Sequence, residues 1–206
     1  MNALRAVPAP NDAGNGIAAG VALALADDGG DIDSGNVFEP ATDPEALLLC
    51  ALMWSFHPAN GSTEIRRITA ALTAGDFDDV AYGRVFTIIA GLVTDTRPYD
   101  PASVTDALIR SGADGAKDAL LRRRLNGVIT AGAEALLITH YADIVLSQAY
   151  RRSFRTAGTS ITQAAEELPE EQLFDHMVTL GRRQRDAFAR LEQFRRPDPA
   201  AMGGRA

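Results

Sequence analysis

Nucleotide-binding and nucleophilic motifs are absent from the sequence. A phosphate loop needs a glycine directly before a lysine, so that backbone amides and the ammonium together hold the phosphates. The single lysine, Lys117, lies between Ala116 and Asp118, and no Gly-x-Ser-x-Gly pattern of a nucleophile elbow occurs. We therefore predict that this sequence has no ATPase or helicase activity of its own.

The side chains that bind metals or transfer protons are scattered along the sequence. His57, His140 and His176 lie far apart, and none has a second histidine or a cysteine three or four residues away. Cys50 lies in the most apolar stretch, where a buried and unreactive thiol is expected. An enzyme with a dispersed active site is one hypothesis, but no polar residues converge to support it. We predict no catalytic residue, no metal site and no cofactor.

Positive charge in the sequence is concentrated in three clusters of arginine. One cluster is Arg122, Arg123 and Arg124, and a second is Arg151, Arg152 and Arg155. Consecutive arginines on a helix spread over a wide arc, which favours a solvated face. The functional alternative is a docking patch for an acidic partner or a phosphate backbone. A third cluster, Arg182, Arg183 and Arg185, allows the same two interpretations.

The charge balance differs between the two ends of the sequence. The chain has 206 residues, 46% of them hydrophobic, and a formal net charge of −7. Residues 1–45 hold one arginine and eight acids, whereas residues 46–206 hold equal numbers of acidic and basic residues. Strong nonspecific DNA binding needs a surplus of basic residues, so DNA contact is predicted to be weak or indirect. The sequence also lacks an apolar run near 18 residues, and we predict no membrane span.

Composition divides the chain into four predicted parts. Residues 1–41 are rich in Gly, Pro, Asn, Asp and Ala without any periodicity, which predicts a disordered acidic leader. Residues 42–138 are predicted to form a helical head, and residues 139–195 an antiparallel helical hairpin. Residues 196–206 are predicted to be a disordered tail. Because β-branched residues never alternate over a useful length, the fold class is predicted to be all-α.

Capping residues predict where the helices of the head begin and end. Thr42 and Glu45 have the spacing of a capping box, which would make Thr42 the N-cap of an apolar first helix. Asp100 before Pro101 predicts another helix start. The helix that starts at Asp100 is predicted to end at Gly112. The other predicted helices are one from Thr63 to Gly75, one from Asp78 or Asp79, and one over residues 115–130.

Two heptad-patterned arms follow, joined at Leu168-Pro169. Such arms predict a hairpin that buries one stripe on each helix, and remaining apolar side chains would favour a second copy of the chain. The alternative is that the hairpin packs only on its own head. The predicted oligomer interface consists of Tyr150, Phe154, Ile161, Leu168, Leu173, Met177, Leu180, Phe188, Leu191 and Phe194.

The order of these features resembles the N-terminal domain of DnaB-type replicative helicases. The resemblance is carried by residues 43–52, 75–77, 82–86, 97–108 and 140–145, and by the pair Arg151-Arg152. It implies a helical head and a dimerising hairpin, assembled as a trimer of dimers that contacts primase and loader proteins. In that family the ATPase motor is a separate downstream domain, and here the sequence ends about where the linker to the motor would begin.

The resemblance leads to a prediction of function. The protein is expected to be a cytoplasmic, non-enzymatic module of DNA replication that forms homodimers or higher oligomers. It would dock primase, a helicase loader or a replicative helicase, and no membrane is involved. The stretch between Gly115 and Thr130 lacks the family's glycine-rich segment, so no binding residue is transferred from the family. The alternative is a small helical DNA-binding regulator that uses the arginine clusters.

Overall fold

The computed structural model describes residues 39–55, 63–112 and 115–196, all within one compact unit that begins at Phe38. The predicted leader up to residue 38, the loop around His57 and the tail from residue 197 lie outside these residues. All regular structure in the described ranges is helical, as predicted. The α-helices are α1 (Pro44–Trp54), α2 (Thr63–Ala71), α3 (Val80–Thr94), α4 (Pro101–Arg110), α5 (Ala119–Ile129), α6 (Ile138–Glu167) and α7 (Glu170–Arg195). We call α1–α5 the head and α6 with α7 the hairpin.

Helix α1 is the centre of the head. Its apolar side chains are almost completely buried, and α3, α5 and α6 pack around it. The predicted capping box is wrong, because Asp43 rather than Thr42 is the N-cap and accepts from the Glu45 backbone amide at 2.9 Å. Thr42 instead donates its hydroxyl to the Glu39 carbonyl. The carboxylate of Glu45 is used elsewhere, at the start of α3.

Helix α2 ends earlier than predicted, and a tight turn follows it. The helix ends at Ala71, and Gly75 lies inside a 3-10 turn, Ala74–Asp76, rather than at a helix C-terminus. Asp76 stabilises this turn by accepting from the Thr73 amide at 2.7 Å and from its hydroxyl at 2.9 Å. Helix α3 passes close to the turn, because a Cβ atom on Gly83 would lie 2.7 Å from the Ala74 carbonyl oxygen.

The remaining head helices follow their local signals closely. Asp100 caps α4 by accepting from the amides of Ala102 and Ser103, as predicted. Gly112 has a φ of +82°, the left-handed conformation expected of a residue that follows a helix. Helix α5 starts at Ala119, later than predicted, because the 3-10 turn Ala116–Asp118 precedes it. Asp118 is buried and pairs with Arg84 of α3 at 2.9 Å.

Helices α6 and α7 form the predicted antiparallel pair. At 30 residues, α6 is about 45 Å long, and its first half packs on the head. Two polar pairs fix the register of the arms: Ser153 donates to Gln184 at 2.7 Å, and Ser160 contacts His176 at 3.0 Å. No helix in the described ranges is long and apolar enough to span a membrane.

The seam between the two arms is made of smaller side chains than the heptad pattern suggested. On α6 after Leu146, the buried positions are Ala149, Ala157 and Ala164, and the large side chains of the predicted stripe lie beside them. On α7 the seam contains the buried Leu180 and Leu191. The seam positions of this part of α6 are therefore small, and the larger apolar residues Phe154 and Ile161 stay about half exposed.

Candidate protein-interaction surfaces of the hairpin

One flank of the hairpin is an exposed apolar surface, which we call the apolar face. Its side chains come from both arms and project to the same side of the seam, because they recur at helical spacing in a fixed register. Its members are Tyr150, Phe154, Ile161, Phe174, Met177 and Phe188. Tyr150 is half-buried, and the other five leave between 45% and 67% of their surface exposed.

Three aromatic rings form the end of the apolar face that lies nearer the head. The Tyr150 ring meets the Phe154 ring edge to face, with centroids 5.1 Å apart, and lies 5.9 Å from the ring of Phe188 on the other arm. Such ring pairs add to the stability of the arm pairing beyond simple burial. Tyr150 thus contacts both Phe154 and Phe188, and each phenylalanine leaves about half of its surface exposed to solvent.

Two glycines interrupt the apolar face at nearly the same level of the hairpin. Gly158 follows Phe154 by one helical turn, and Gly181 follows Met177 by one turn, and the register places the two glycines within about two or three residues of the same level. A Cβ atom at either position would meet nothing within 4 Å. Glycine inside a helix costs about 1 kcal/mol relative to alanine, and no close contact in this part of the chain explains that cost. The pair leaves a shallow notch of bare backbone in the face.

Buried ion pairs hold the hairpin against the head. The carboxylate of Asp76 is 3% exposed and accepts from both terminal nitrogens of Arg190, at 3.0 and 2.5 Å. Arg152 donates to the Asp76 carbonyl and lies 3.5 Å from the carboxylates of Glu45 and Asp78. We call Glu45, Asp76, Arg152 and Arg190 the arginine clamp. It joins α1 and the 3-10 turn to both arms of the hairpin.

Glu45 is the second buried acid of the arginine clamp. Its carboxylate accepts from the backbone amides of Asp78 at 2.7 Å and Asp79 at 3.3 Å, just before α3 begins. Burial raises the pKa of Glu45, while these two amides and Arg152 counteract part of the rise. The structure therefore uses Glu45 to position the start of α3 rather than to cap its own helix.

The structure separates the predicted arginine positions into two groups. Arg124 pairs with the α3 cap residue Asp79 at 2.7 Å, and Arg152 belongs to the arginine clamp. Arg122 donates to the Gly115 carbonyl at 3.1 Å. The side chains of Arg123, Arg151 and Arg155 are exposed. Of these two clusters, only the last three arginines are exposed, and Arg182, Arg183 and Arg185 of the third cluster are exposed as well.

The predicted interface residues also divide into two groups. Leu180, Leu191 and Phe194 are buried within the chain itself, and Leu168 and Leu173 are half-buried near the turn. Phe194 also lies under the Arg67 guanidinium, 4.4 Å from its ring centroid. The exposed predicted residues Phe154, Ile161, Met177 and Phe188 all belong to the apolar face. Phe174 was missed because it lies outside the heptad positions.

A cleft of about 520 Å³ lies on the other side of the hairpin seam, between the arms and the 3-10 turn of the head. Phe77, Ala157 and Leu180 provide apolar lining, and Thr156 and Arg183 provide polar lining. Sequence reasoning missed this cleft because its walls come from three segments that are distant in the sequence. No group of acidic, histidine or cysteine side chains suited to a metal ion occurs among the described residues.

Comparisons with known proteins agree with this architecture. The family model of the DnaB-like helicase N-terminal domain matches residues 39–147, more than half of the chain. Among the solved structures that match is the N-terminal domain of DnaB helicase from Mycobacterium tuberculosis, with a TM-score of 0.54 and 24% sequence identity. That match covers 68% of this chain and 96% of the other. No curated protein matches the sequence.

An all-helical head with a long hairpin at its carboxyl side defines the class of protein. The chain belongs to the family of DnaB-like helicase N-terminal domains. The family oligomerises and contacts other replication proteins, and the match is to the N-terminal domain rather than to the ATPase domain. The family model ends within α6, so the apolar face from Tyr150 onward lies beyond the matched residues.

Proposed function

We propose that this protein is a non-enzymatic module of cytoplasmic DNA replication that self-associates through the apolar face of its hairpin. Once assembled, it docks primase, a helicase loader or a replicative helicase. The apolar face is the observation that carries the proposal, because monomeric proteins rarely expose a contiguous apolar surface of this kind. Membership of a family that oligomerises and contacts replication proteins supports it.

The apolar face offers a burial energy of the same order as the cost of association. Full burial of a large apolar side chain contributes roughly 1.5–3 kcal/mol, and five of these side chains are about half exposed. Burying the exposed part of these side chains would therefore contribute about 5 kcal/mol for each copy, and about 10 kcal/mol for two copies. This gross gain is comparable to the translational and rotational freedom that two chains lose on binding.

The glycine notch supports a symmetric pairing of two copies. In a two-fold dimer, the same surface of each chain contacts its counterpart. Hairpins that cross at Gly158 and Gly181 would bring their backbones together where no side chain intervenes. The aromatic cluster on one side of the notch, and Ile161 with Met177 on the other, would then pack around the crossing point.

Sedimentation velocity over a range of concentrations tests self-association. The parent chain should form a dimer or larger oligomer, and Phe154→Asp with Met177→Asp should make it monomeric, because an unpaired charge in a buried interface is unfavourable. Leu120→Asp is the control, since Leu120 is 58% exposed and lies on α5 of the head rather than on the hairpin. Circular dichroism should show that all variants keep their helix content.

Two results would contradict the self-association proposal. One is a parent chain that stays monomeric at about 100 µM, where even a micromolar dimer would be populated. The other is a hairpin variant that associates as strongly as the Leu120→Asp control. A double variant, Gly158→Ala with Gly181→Ala, adds a second criterion: it should raise helix stability yet weaken association.

Partner docking is tested separately from self-association. The tagged chain should retain primase, a helicase loader or a replicative helicase from the cells that produce it, and the purified chain should not hydrolyse ATP. Arg123, Arg151 and Arg155 are exposed and suited to acidic groups on such a partner. Replacing all three with glutamate should reduce retention without changing the oligomeric state. If the triple variant retains the partner as well as the parent chain does, these three arginines do not belong to the docking surface.

A further inference from the structure

The geometry points to the cleft between the hairpin and the 3-10 turn as a docking site for an acidic peptide segment of another protein. The segment would place an apolar side chain on the floor of the cleft and a carboxylate beside Arg183. The inference rests on the proposed function, because it presupposes that the module docks a partner protein. It specifies where on the chain the partner docks and the chemistry of the partner's segment.

The cleft is held open by the arginine clamp. Asp76 follows Gly75 in the 3-10 turn that forms one wall, and Arg152 lies on the opposite wall. The paired contacts of Arg190 and Arg152 with Asp76 fix the distance between these walls. A partner therefore meets an open cleft whose walls are already in place and does not have to separate the head from the hairpin, which lowers the cost of binding.

The floor of the cleft suits an apolar side chain. Phe77 is 6% exposed and Leu180 is 8% exposed, so both line the cleft with a small apolar surface and neither side chain projects into it. Ala149 and Ala157 leave room above them because their side chains are short. A volume of about 520 Å³ lies within the range of sites that bury a small ligand, or two or three side chains of a peptide.

Arg183 supplies the charge for a carboxylate. Arg152 also lines the cleft, but Glu45 and Asp78 already surround its guanidinium. Arg183 is exposed, and no carboxylate in the described ranges lies within ion-pair distance of it. An arginine side chain pairs well with a carboxylate through two parallel hydrogen bonds. One free cation beside an apolar floor fits an acidic, apolar peptide better than it fits a nucleic acid, which needs several cations and exposed aromatic rings.

The cleft and the apolar face lie on opposite sides of the hairpin seam. On α6, Thr156 lines the cleft while Phe154 and Gly158 belong to the other flank. On α7, Arg183 lines the cleft while Met177 and Gly181 belong to the other flank. Self-association through the apolar face would therefore leave the cleft accessible, and each surface can be disrupted by its own variants.

Amide-proton NMR on the full chain tests the inference with defined probes. The first probe is the peptide acetyl-Leu-Asp-Asp-Leu-amide, and the second is its neutral twin acetyl-Leu-Asn-Asn-Leu-amide. The acidic peptide should shift the amides of Phe77, Thr156 and Leu180 in a saturable manner. The neutral twin should bind at least about tenfold more weakly, because it lacks the charge-assisted hydrogen bond.

Neighbouring arginines provide a matched pair of variants. Arg183→Glu should weaken binding of the acidic peptide by about tenfold or more, whereas Arg182→Glu should leave it unchanged, because Arg182 does not line the cleft. Both variants have the same change of charge, and both replace an exposed residue of α7. Sedimentation velocity should show that neither variant alters self-association, which separates this inference from the proposed function.

Several outcomes would overturn the inference. Absence of saturable shifts at the cleft with the acidic peptide would do so, as would equal weakening by the two arginine variants. Inorganic phosphate and the oligonucleotide dT10 serve as competing probes. If either one shifts the same amides as strongly as the acidic peptide does, the cleft binds anions in general and not an acidic, apolar segment.

Discussion

The two glycines of α3 allow a sharp test of how the head is packed. Gly83 faces the 3-10 turn, where an added Cβ would lie 2.7 Å from the Ala74 carbonyl oxygen. Gly91 lies two turns further along the same helix, and an added Cβ there would meet nothing within 4 Å. Alanine at both positions has the same intrinsic advantage in a helix. The two variants should therefore change stability in opposite directions.

The magnitudes follow from these distances. At Gly91, alanine should stabilise the fold by about 1 kcal/mol, which is its ordinary advantage over glycine inside a helix. At Gly83 the same advantage is offset by overpacking, which costs roughly 1–3 kcal/mol in a packed core and more against rigid backbone. The turn must move by about half an ångström to restore a normal contact. Because that turn contains Asp76, the movement would also strain the arginine clamp.

Thermal and urea unfolding of the two variants measure this difference. For a chain of this size, 1 kcal/mol changes the melting temperature by roughly 2–4 °C. Gly91→Ala should raise the melting temperature by about that amount, and Gly83→Ala should lower it by a similar or larger amount. Equal stabilisation by both substitutions would refute the reasoning, because the turn would then not lie close to α3.

Two further predictions concern charged side chains. Asp76→Ala should lower the free energy of unfolding by about 3 kcal/mol in urea, because it leaves Arg190 and the Thr73 amide without their acceptor. The control Asp78→Ala removes an exposed acid and should change the free energy of unfolding by less than about 0.5 kcal/mol. Hydrogen bonds from Ser103 and backbone amides lower the pKa of Asp100 below its usual 3.8. The stabilisation that Asp100 provides is therefore complete above pH 3.8 and is lost as the pH falls through the folded-state pKa. Asp100→Asn should lose less stability on acidification than the parent chain, and an identical dependence of stability on pH would contradict this assignment.

Local signals predicted much of the head, because their physical causes are local. Asp100 and Gly112 act within a few residues of their own positions, and both have the predicted roles. The capping box failed for a reason that sequence spacing does not reveal. The Glu45 carboxylate binds backbone amides 33 and 34 residues away, and these compete with the cap of its own helix.

The candidate surfaces were harder to predict than the helices. The heptad pattern correctly indicated two paired arms, but it did not show which apolar residues face the partner arm. Rotation of each arm is set by polar pairs, such as Ser153 with Gln184, and by the contact of Arg152 with the 3-10 turn. These contacts join residues between 31 and 76 positions apart. The cleft depends on the same long-range contacts, and for that reason no local pattern indicated it.

The rotation of α6 explains why the apolar face stays exposed. A modest turn of this helix about its axis would bring Tyr150, Phe154 and Ile161 into the seam in place of Ala157 and Ala164. That rearrangement would bury more apolar surface within the chain. It would also break the hydrogen bonds of Ser153 and Ser160 and withdraw Arg152 from the buried Glu45 carboxylate and the Asp76 carbonyl. Leaving Glu45 buried without its arginine partner would cost about 3–5 kcal/mol, which offsets the roughly 2–5 kcal/mol gained by burying three partly exposed side chains. The arginine clamp therefore fixes the cleft on one side of the hairpin and keeps the apolar face available on the other.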